Sequence, residues 1–175
     1  MDSQFTIRPT TLADAEILCD LGPRTYIASH GPFITSKDEL NNYLRQNYAL
    51  DVVRGELSNP SLHFFIAFAA SGRPVGFLKL RPCALPVPQM QPDSQEIQRL
   101  YIDDQMQGKG IGKALMHSAY TLLRDRDIHH VYIGVYEGNA KAIAFYTKLG
   151  GILCGQHTFY VGNTGYINPI YQITF

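Results

Sequence analysis

Three glycines at alternate positions, Gly108, Gly110 and Gly112, follow an apolar stretch (Leu100, Tyr101, Ile102) and a polar one (residues 103–107), at the point where a helix-forming sequence begins. Lacking Cβ atoms, they let the main chain turn sharply and approach a ligand closely. The following helix leaves its first N–H groups unpaired and carries the positive end of its dipole there, so the junction suits a phosphate or pyrophosphate. Lys109 and Lys113 add positive charge. A plain glycine-rich turn between strand and helix has the same pattern, and short glycine motifs recur by chance. Two nucleotide loops are excluded. No Lys-Ser or Lys-Thr pair closes a Walker loop, and the spacing is not the dinucleotide fingerprint GxGxxG.

Periodicity defines the elements that must hold this loop. Residues 5–8 alternate as a first strand; Pro9 follows, and Thr11 stands as a helix cap with Asp14 three residues on. Ala13, Ile17, Leu18 and Leu21 form one apolar helix face, which Gly22 and Pro23 are expected to break or kink. A second helix is expected from residue 35, with Ser36 as cap, Glu39 at the capping-box position and Leu40, Tyr43 and Leu44 inward; a third piece covers residues 50–57. This block reads as an amphipathic cover with solvated charges. Residues 63–70 and 75–80 form a hairpin. The stretch 82–92, with four prolines, is an exposed connection rather than a ladder strand.

The next strand, residues 96–102, feeds the glycine loop, and a period of two puts Glu96, Gln98, Leu100 and Ile102 on one face. Ile111, Leu115, Ala119 and Leu122 then bury one side of a helix. A short strand over 131–135 leads to Asn139, which caps a helix with Ala142, Phe145, Tyr146 and Leu149 inward; Gly150 and Gly151 end it. Residues 152–161 and 166–174 are two closing strands, with a turn at 163–165. This order predicts a single α/β (α+β) domain over residues 1–175, a mixed, mostly antiparallel central sheet with helices on both faces.

A chain of 175 residues suffices for one substantial core. It has no apolar run long enough to span a bilayer, and residues 1–8 do not resemble a secretory signal, so a cytoplasmic protein is expected. Cys19, Cys83 and Cys154 are far apart and odd in number, which fits free thiols and indicates neither disulfide nor zinc site. Fifteen basic and fifteen acidic residues balance, leaving no stripe for nucleic acid. No metal cofactor and no membrane partner are expected.

The loop resembles the pyrophosphate loop of the GNAT acetyltransferase superfamily: Gln or Arg, x, x, Gly, x, Gly or Ala, after an apolar strand. Gln107, Gly110 and Gly112 occupy those positions. A second stretch similar to that family, EGNAKAIAFYTKLGG from Glu137, follows at the expected place. The resemblance implies a GNAT-like fold in which two central strands splay apart and the thioester of acetyl-CoA lies between them. It implies cofactor contacts from Leu100, Tyr101, Ile102, Gln107, Gly108, Lys109, Gly110, Ile111, Gly112, Lys113, Asn139 and Lys148. In that family the first helices wall the acceptor site, which makes Tyr26, His30 and Glu39 substrate-contact candidates.

Acetyl transfer to an amine needs a held donor, a polarised carbonyl, a neutral nitrogen and a protonated leaving thiolate. A thiolate has a pKa on the order of 8 to 9 and a phenol about 10, so a nearby tyrosine can donate as sulfur leaves. Tyr146 is the candidate acid, against a plain core role. Glu96, six residues before Ile102, is the candidate base, because the resemblance implies a catalytic carboxylate there, and partial burial would raise its pKa; an exposed strand start and a water chain are its alternatives. The segments EIQRLYI and Phe159, Tyr160, Val161, Gly162 resemble bacterial polyamine acetyltransferases, but Asn163 and Thr164 stand where those have Asp and Gln. Three readings follow: a small-molecule amine N-acetyltransferase, with a polyamine among its acceptors; a protein N-terminal or lysine acetyltransferase; and a non-catalytic acyl-CoA-binding module. The proline stretch and C-terminal strands are where two copies would meet in a homodimer, although no residue pattern establishes one.

Overall fold

The computed structural model describes residues 5–88 and 90–175. The strands are β1 (Phe5–Pro9), β2 (His63–Ala69), β3 (Pro74–Pro82), β4 (Gln95–Ile102), β5 (His130–Gly134), β6 (Ile152–Val161) and β7 (Thr164–Thr174). The helices are α1 (Ala15–His30), α2 (Lys37–Tyr48), α3 (Leu50–Ser58), α4 (Ile111–Arg124) and α5 (Ala140–Lys148). The strands form one sheet, in the order β1-β2-β3-β4-β5-β7-β6. Every pairing is antiparallel except β4 with β5. The expected mixed, mostly antiparallel sheet between two helical layers is therefore present.

Each face of the sheet has its own core. Leu115, Met116, Ala119 and Leu123 of α4 bury against Leu78, Leu80, Ile97 and Val131. On the opposite face Leu18, Leu21 and Tyr26 of α1, with Tyr48 and Val53, cover Phe64, Ile66 and Phe77. Each fully buried aliphatic side chain contributes about 1.5–3 kcal/mol.

Sheet register overturns one expectation. Leu78 pairs with Leu100 and Lys79 with Arg99, but Leu80 pairs with Ile97, so Gln98 is an extra residue in β4. This bulge reverses the alternation along the strand. Leu100 and Ile102 share the α4 face with Ile97, whereas Glu96 lies on the other face with Arg99 and Tyr101, opposite Arg81, Lys79 and Phe77. Glu96 and Leu100 do not share a face.

Helix α1 runs through Gly22 and Pro23 rather than ending there. Gly22 serves close packing: a Cβ there would stand 2.1 Å from the Tyr48 ring. The Thr25 hydroxyl donates to Leu21 O at 2.7 Å in the turn around Pro23. Before α1, Thr11 and Asp14 form a capping box over a short 3-10 turn. Arg8 donates twice to Asp14, holding its pKa down to about 2. Ala13, expected inward, is exposed, because the inward face of α1 begins with Ala15 and Leu18.

Two loops also differ from expectation. The proline stretch is not wholly exposed, since Leu85 is buried against Tyr132 and Ile170. The last hairpin turns tightly at Gly162 and Asn163, so that β7 begins at Thr164. Gly162 has φ +59°, and Glu39 fills the space a Cβ would need.

Candidate active site

Between β4 and β5 the ladder consists of one pair, Glu96 with Tyr132. Beyond it the strands part. Leu100, Tyr101 and Ile102 pair only with β3, so the main-chain groups on their other edge face the gap. A cavity of about 800 Å³ occupies this gap and reaches from the glycine loop to α1 and α2. These are the splayed central strands expected for the fold.

Gly108 and Gly110 have φ of +75° and +86°, the left-handed region, and Gly110 caps α4. No atom lies within 4 Å of a Cβ built at either, so the loop has room for a ligand. Gly112 is packed instead, and a Cβ would crowd Ile102 and Phe145 at 3.1–3.2 Å. The first turn of α4 is thereby drawn against the strand end. The Gln107 amide donates to Ile102 O at 3.3 Å and to Asp104 Oδ1 at 3.0 Å, closing the loop. Asp103 braces its start through Arg24 and through Arg73 Nη1 at 2.8 Å. Left-handed glycines, an open concavity and unpaired helix N–H groups together fit a pyrophosphate, and Lys113 lines the same end.

Tyr146 lines the cavity and is 5% exposed. Burial pushes its phenol up from the ordinary tyrosine value, so it is protonated at neutral pH. The Asn139 side chain caps α5 by accepting from Ala142 N at 3.1 Å, which fixes the helix that carries Tyr146. Glu96 also lines the cavity, at 2% exposure. Its oxygens are not free: Arg81 Nε donates to Oε1 at 2.5 Å and Ala84 N to Oε2 at 2.9 Å. It is buried, as the sequence suggested, and it is also paired.

The acceptor end is aromatic. Tyr26 and His30 both line it and stack at 4.6 Å and 7°. Tyr43 stacks on Tyr26, and Tyr101 meets both Tyr26 and His30 edge-on. Burial lowers the His30 pKa to about 4, which makes the ring neutral. Glu39 lies outside the wall. Its carboxylate accepts from Asn163 N and Thr164 Oγ1, each at 2.9 Å, and so ties α2 to the β6–β7 hairpin. The capping box expected at Ser36 is half formed, because Ser36 accepts from Glu39 N while the Glu39 side chain goes to the hairpin.

Of the expected cofactor residues, Leu100, Tyr101, Ile102, Gln107, Gly108, Gly110, Gly112, Lys113 and Asn139 line the cavity. Lys109, Ile111 and Lys148 do not. Ile111 points into the core at 1% exposure, and Lys109 Nζ rests 3.4 Å from Met106 Sδ. Sequence reading did not single out Arg81, Arg99, His157 or Tyr166, which also line the cavity. A signal was present for one of them: Arg81, like Lys79, interrupts apolar strand sequence, whereas Arg99 follows Gln95, Glu96 and Gln98 in a mixed one.

A splayed mixed sheet with a glycine-rich anion loop at the strand end defines an acyl-CoA-dependent acetyltransferase. Comparison with known proteins agrees. Residues 28–151 match the acetyltransferase (GNAT) family model, and the chain belongs to that family, as an N-acetyltransferase. A spermidine N(1)-acetyltransferase of Thermoplasma acidophilum is 26% identical over 148 residues, covering 82% of this chain and 86% of that protein. An uncharacterized N-acetyltransferase of Lactobacillus delbrueckii subsp. lactis is 28% identical over 128 residues, 73% of each chain. The PaiA N-acetyltransferase of Thermoplasma acidophilum, solved with coenzyme A, superposes with a TM-score of 0.75 at 20% identity, over 99% of this chain and 100% of that one. The family's acetyl donor is acetyl-CoA.

Proposed function

We propose that this protein transfers an acetyl group from acetyl-CoA to a primary amine of a small molecule by direct attack, with Tyr146 as general acid. The observation that carries this reading is the buried Tyr146 phenol in the wall of the gap between β4 and β5. Acetyl-CoA, when bound, supplies an activated acetyl thioester. The residues 107–113 and the α4 N-terminus hold its pyrophosphate, and the exposed main-chain edge of Leu100, Tyr101 and Ile102 holds its pantetheine arm. An amide of that edge polarises the thioester carbonyl. Tyr146 donates a hydrogen bond to the departing sulfur, whose basicity rises as it leaves. The ammonium proton leaves through water, because Glu96 as the direct base would have to give up Arg81.

The aromatic wall of Tyr26, His30 and Tyr43 holds the acceptor, and a relative named for spermidine acetylation adds polyamines to the acceptors worth trying. The same reading takes residues 1–175 as one domain and a cytoplasmic location, supported by free Cys19, Cys83 and Cys154. It includes a homodimer, supported by exposed Ile152, Leu153 and Tyr160 on the outermost strand, which sedimentation as monomer alone at micromolar concentration would remove. The test is release of CoA thiol from acetyl-CoA against amines, amino acids and short peptides. Turnover with small amines is expected; turnover with peptides alone, or tight acetyl-CoA binding without turnover, would defeat it.

A further inference from the structure

The half of the cavity away from the glycine loop holds more positive charge than negative. Arg81, Glu96 and Arg99 line it, and Lys79 lies on the same sheet face, 3% exposed. Glu96 is occupied by Arg81 and the Ala84 amide. Glu56 is one carboxylate between two buried cations, reached by Lys79 Nζ at 2.5 Å and Arg99 Nη1 at 3.2 Å. Arg99 Nη2 turns to the neutral Asn47 Oδ1 at 3.1 Å, and its Nε is buried without a partner. Burial first, then Arg99, lowers the Lys79 pKa to about 8, as expected where cations outnumber carboxylates. Glu39 does not redress the balance, since both its oxygens serve the hairpin.

The unpaired polar atoms of the wall include four that can donate, beside one acceptor, Gln98 Oε1. Tyr26 Oη and Tyr166 Oη are buried without hydrogen-bond partners, as are His30 Nδ1 and His157 Nε2. All four residues line the cavity. Phenols donate as well as accept, and a neutral imidazole presents one N–H beside one bare nitrogen; burial lowers the pKa of both histidines. A polycation entering here would meet Arg99 and, among the described residues of this half, only the already paired carboxylate of Glu96. An anionic group would meet donors that lack acceptors, where an unmade hydrogen bond is costly.

We propose that the acceptor is an amine that also bears a carboxylate, seated toward Arg99 and the phenols of Tyr26 and Tyr166, with its amine toward the gap between β4 and β5. This rests on the N-acetyltransferase reading above and narrows its acceptors to amino-acid-like molecules in place of polyamines. The aromatic stack of Tyr26, His30 and Tyr43 offers a planar surface to the body of such a molecule.

Matched pairs that differ only in the carboxylate test it: lysine against cadaverine, and phenylalanine against phenethylamine, with spermidine alongside. Thiol release from acetyl-CoA gives kcat/KM for each, and calorimetry gives binding of each to the protein loaded with CoA. The carboxylated member is expected to lead by about tenfold or more, the worth of one charge-assisted hydrogen bond. Tyr166→Phe and Arg99→Met are expected to bring that ratio toward one. If Arg99→Met fails to fold, as circular dichroism would reveal, the wild-type ratios and Tyr166→Phe still decide. Preference for cadaverine, phenethylamine or spermidine overturns the proposal while leaving the N-acetyltransferase reading intact. Absence of turnover with every acceptor defeats that reading instead; the carboxylate preference then stands or falls on calorimetry, and tighter binding of the decarboxylated members, or binding of neither, overturns it.

Discussion

The two ends of the cavity are made of different material. The donor end is main chain: left-handed Gly108 and Gly110, the opening turn of α4 and the free edge of β4, nearly all from one run of residues. The acceptor end is side chains gathered from α1, α2, β3, β4, β6 and β7, among them Tyr26, Tyr43, Arg81, Arg99, Phe159 and Tyr166. A site made of consecutive main chain is set locally and tolerates change elsewhere. One made of scattered side chains depends on the register of every element that contributes, so it can diverge while the donor end persists.

Four substitutions or titrations would break or sharpen that contrast, beginning with the largest effect. Gly110→Asp places a carboxylate and a Cβ at the anion loop; CoA affinity by calorimetry should fall about 1000-fold, ~4.1 kcal/mol. The fold should lose only the left-handed strain of about 1–2 kcal/mol. Unchanged affinity would remove the loop from the donor site. Glu56→Gln acts at the other end and in the opposite way. It strands Lys79 and Arg99 without a carboxylate and should cost about 3 kcal/mol in urea unfolding, with CoA affinity of the folded protein preserved. A joint loss of CoA affinity would mean the two ends are not separable.

Tyr146→Phe lies between them. It should lower kcat about tenfold (~1.4 kcal/mol), with the Kd for acetyl-CoA nearly constant; intact kcat would return Tyr146 to a core role. The smallest effect is a titration. Folded Lys79, at about 8, loses its proton before unfolded lysine does near about 10.4. Between those values the unfolded state binds more protons, so stability should rise with pH, on the order of 1 kcal/mol. The rise should vanish in Lys79→Met; a flat profile in the parent protein would show that Glu56 fully compensates the ammonium.

The same contrast explains what was legible in the sequence. The glycine loop, the α4 stripe and the Asn139 cap are short-range patterns, and each stands where spacing put it. The bulge at Gln98 was not legible, because one extra residue in β4 is defined only against β3, and it sent Glu96 to the face opposite the one expected. Pro23 misled for a related reason: the packing of Gly22 on Tyr48 outweighs the local helix-breaking signal, and Tyr48 lies on another helix. The partners of Glu39 are 124 and 125 residues away, beyond any local pattern. Lys79 was visible as a charge in an apolar strand and Arg99 as one in a mixed strand, but not the shared carboxylate of Glu56.

Strand β7 lies between β5 and β6 although it follows both in sequence. A ribosome therefore delivers β5 and β6 before the strand that must separate them, and β5 emerges with an open edge along residues 130–134 that only residues 170–174 can satisfy. The hairpin that fills this slot also presents Asn163 and Thr164 to Glu39. Assembly of the acceptor wall thus waits for β7, whereas the glycine loop and α4 can form beforehand. A chain halted before β7 would expose a sticky strand edge to its neighbours on the polysome, which makes timely insertion of this strand the step that guards the nascent protein against aggregation.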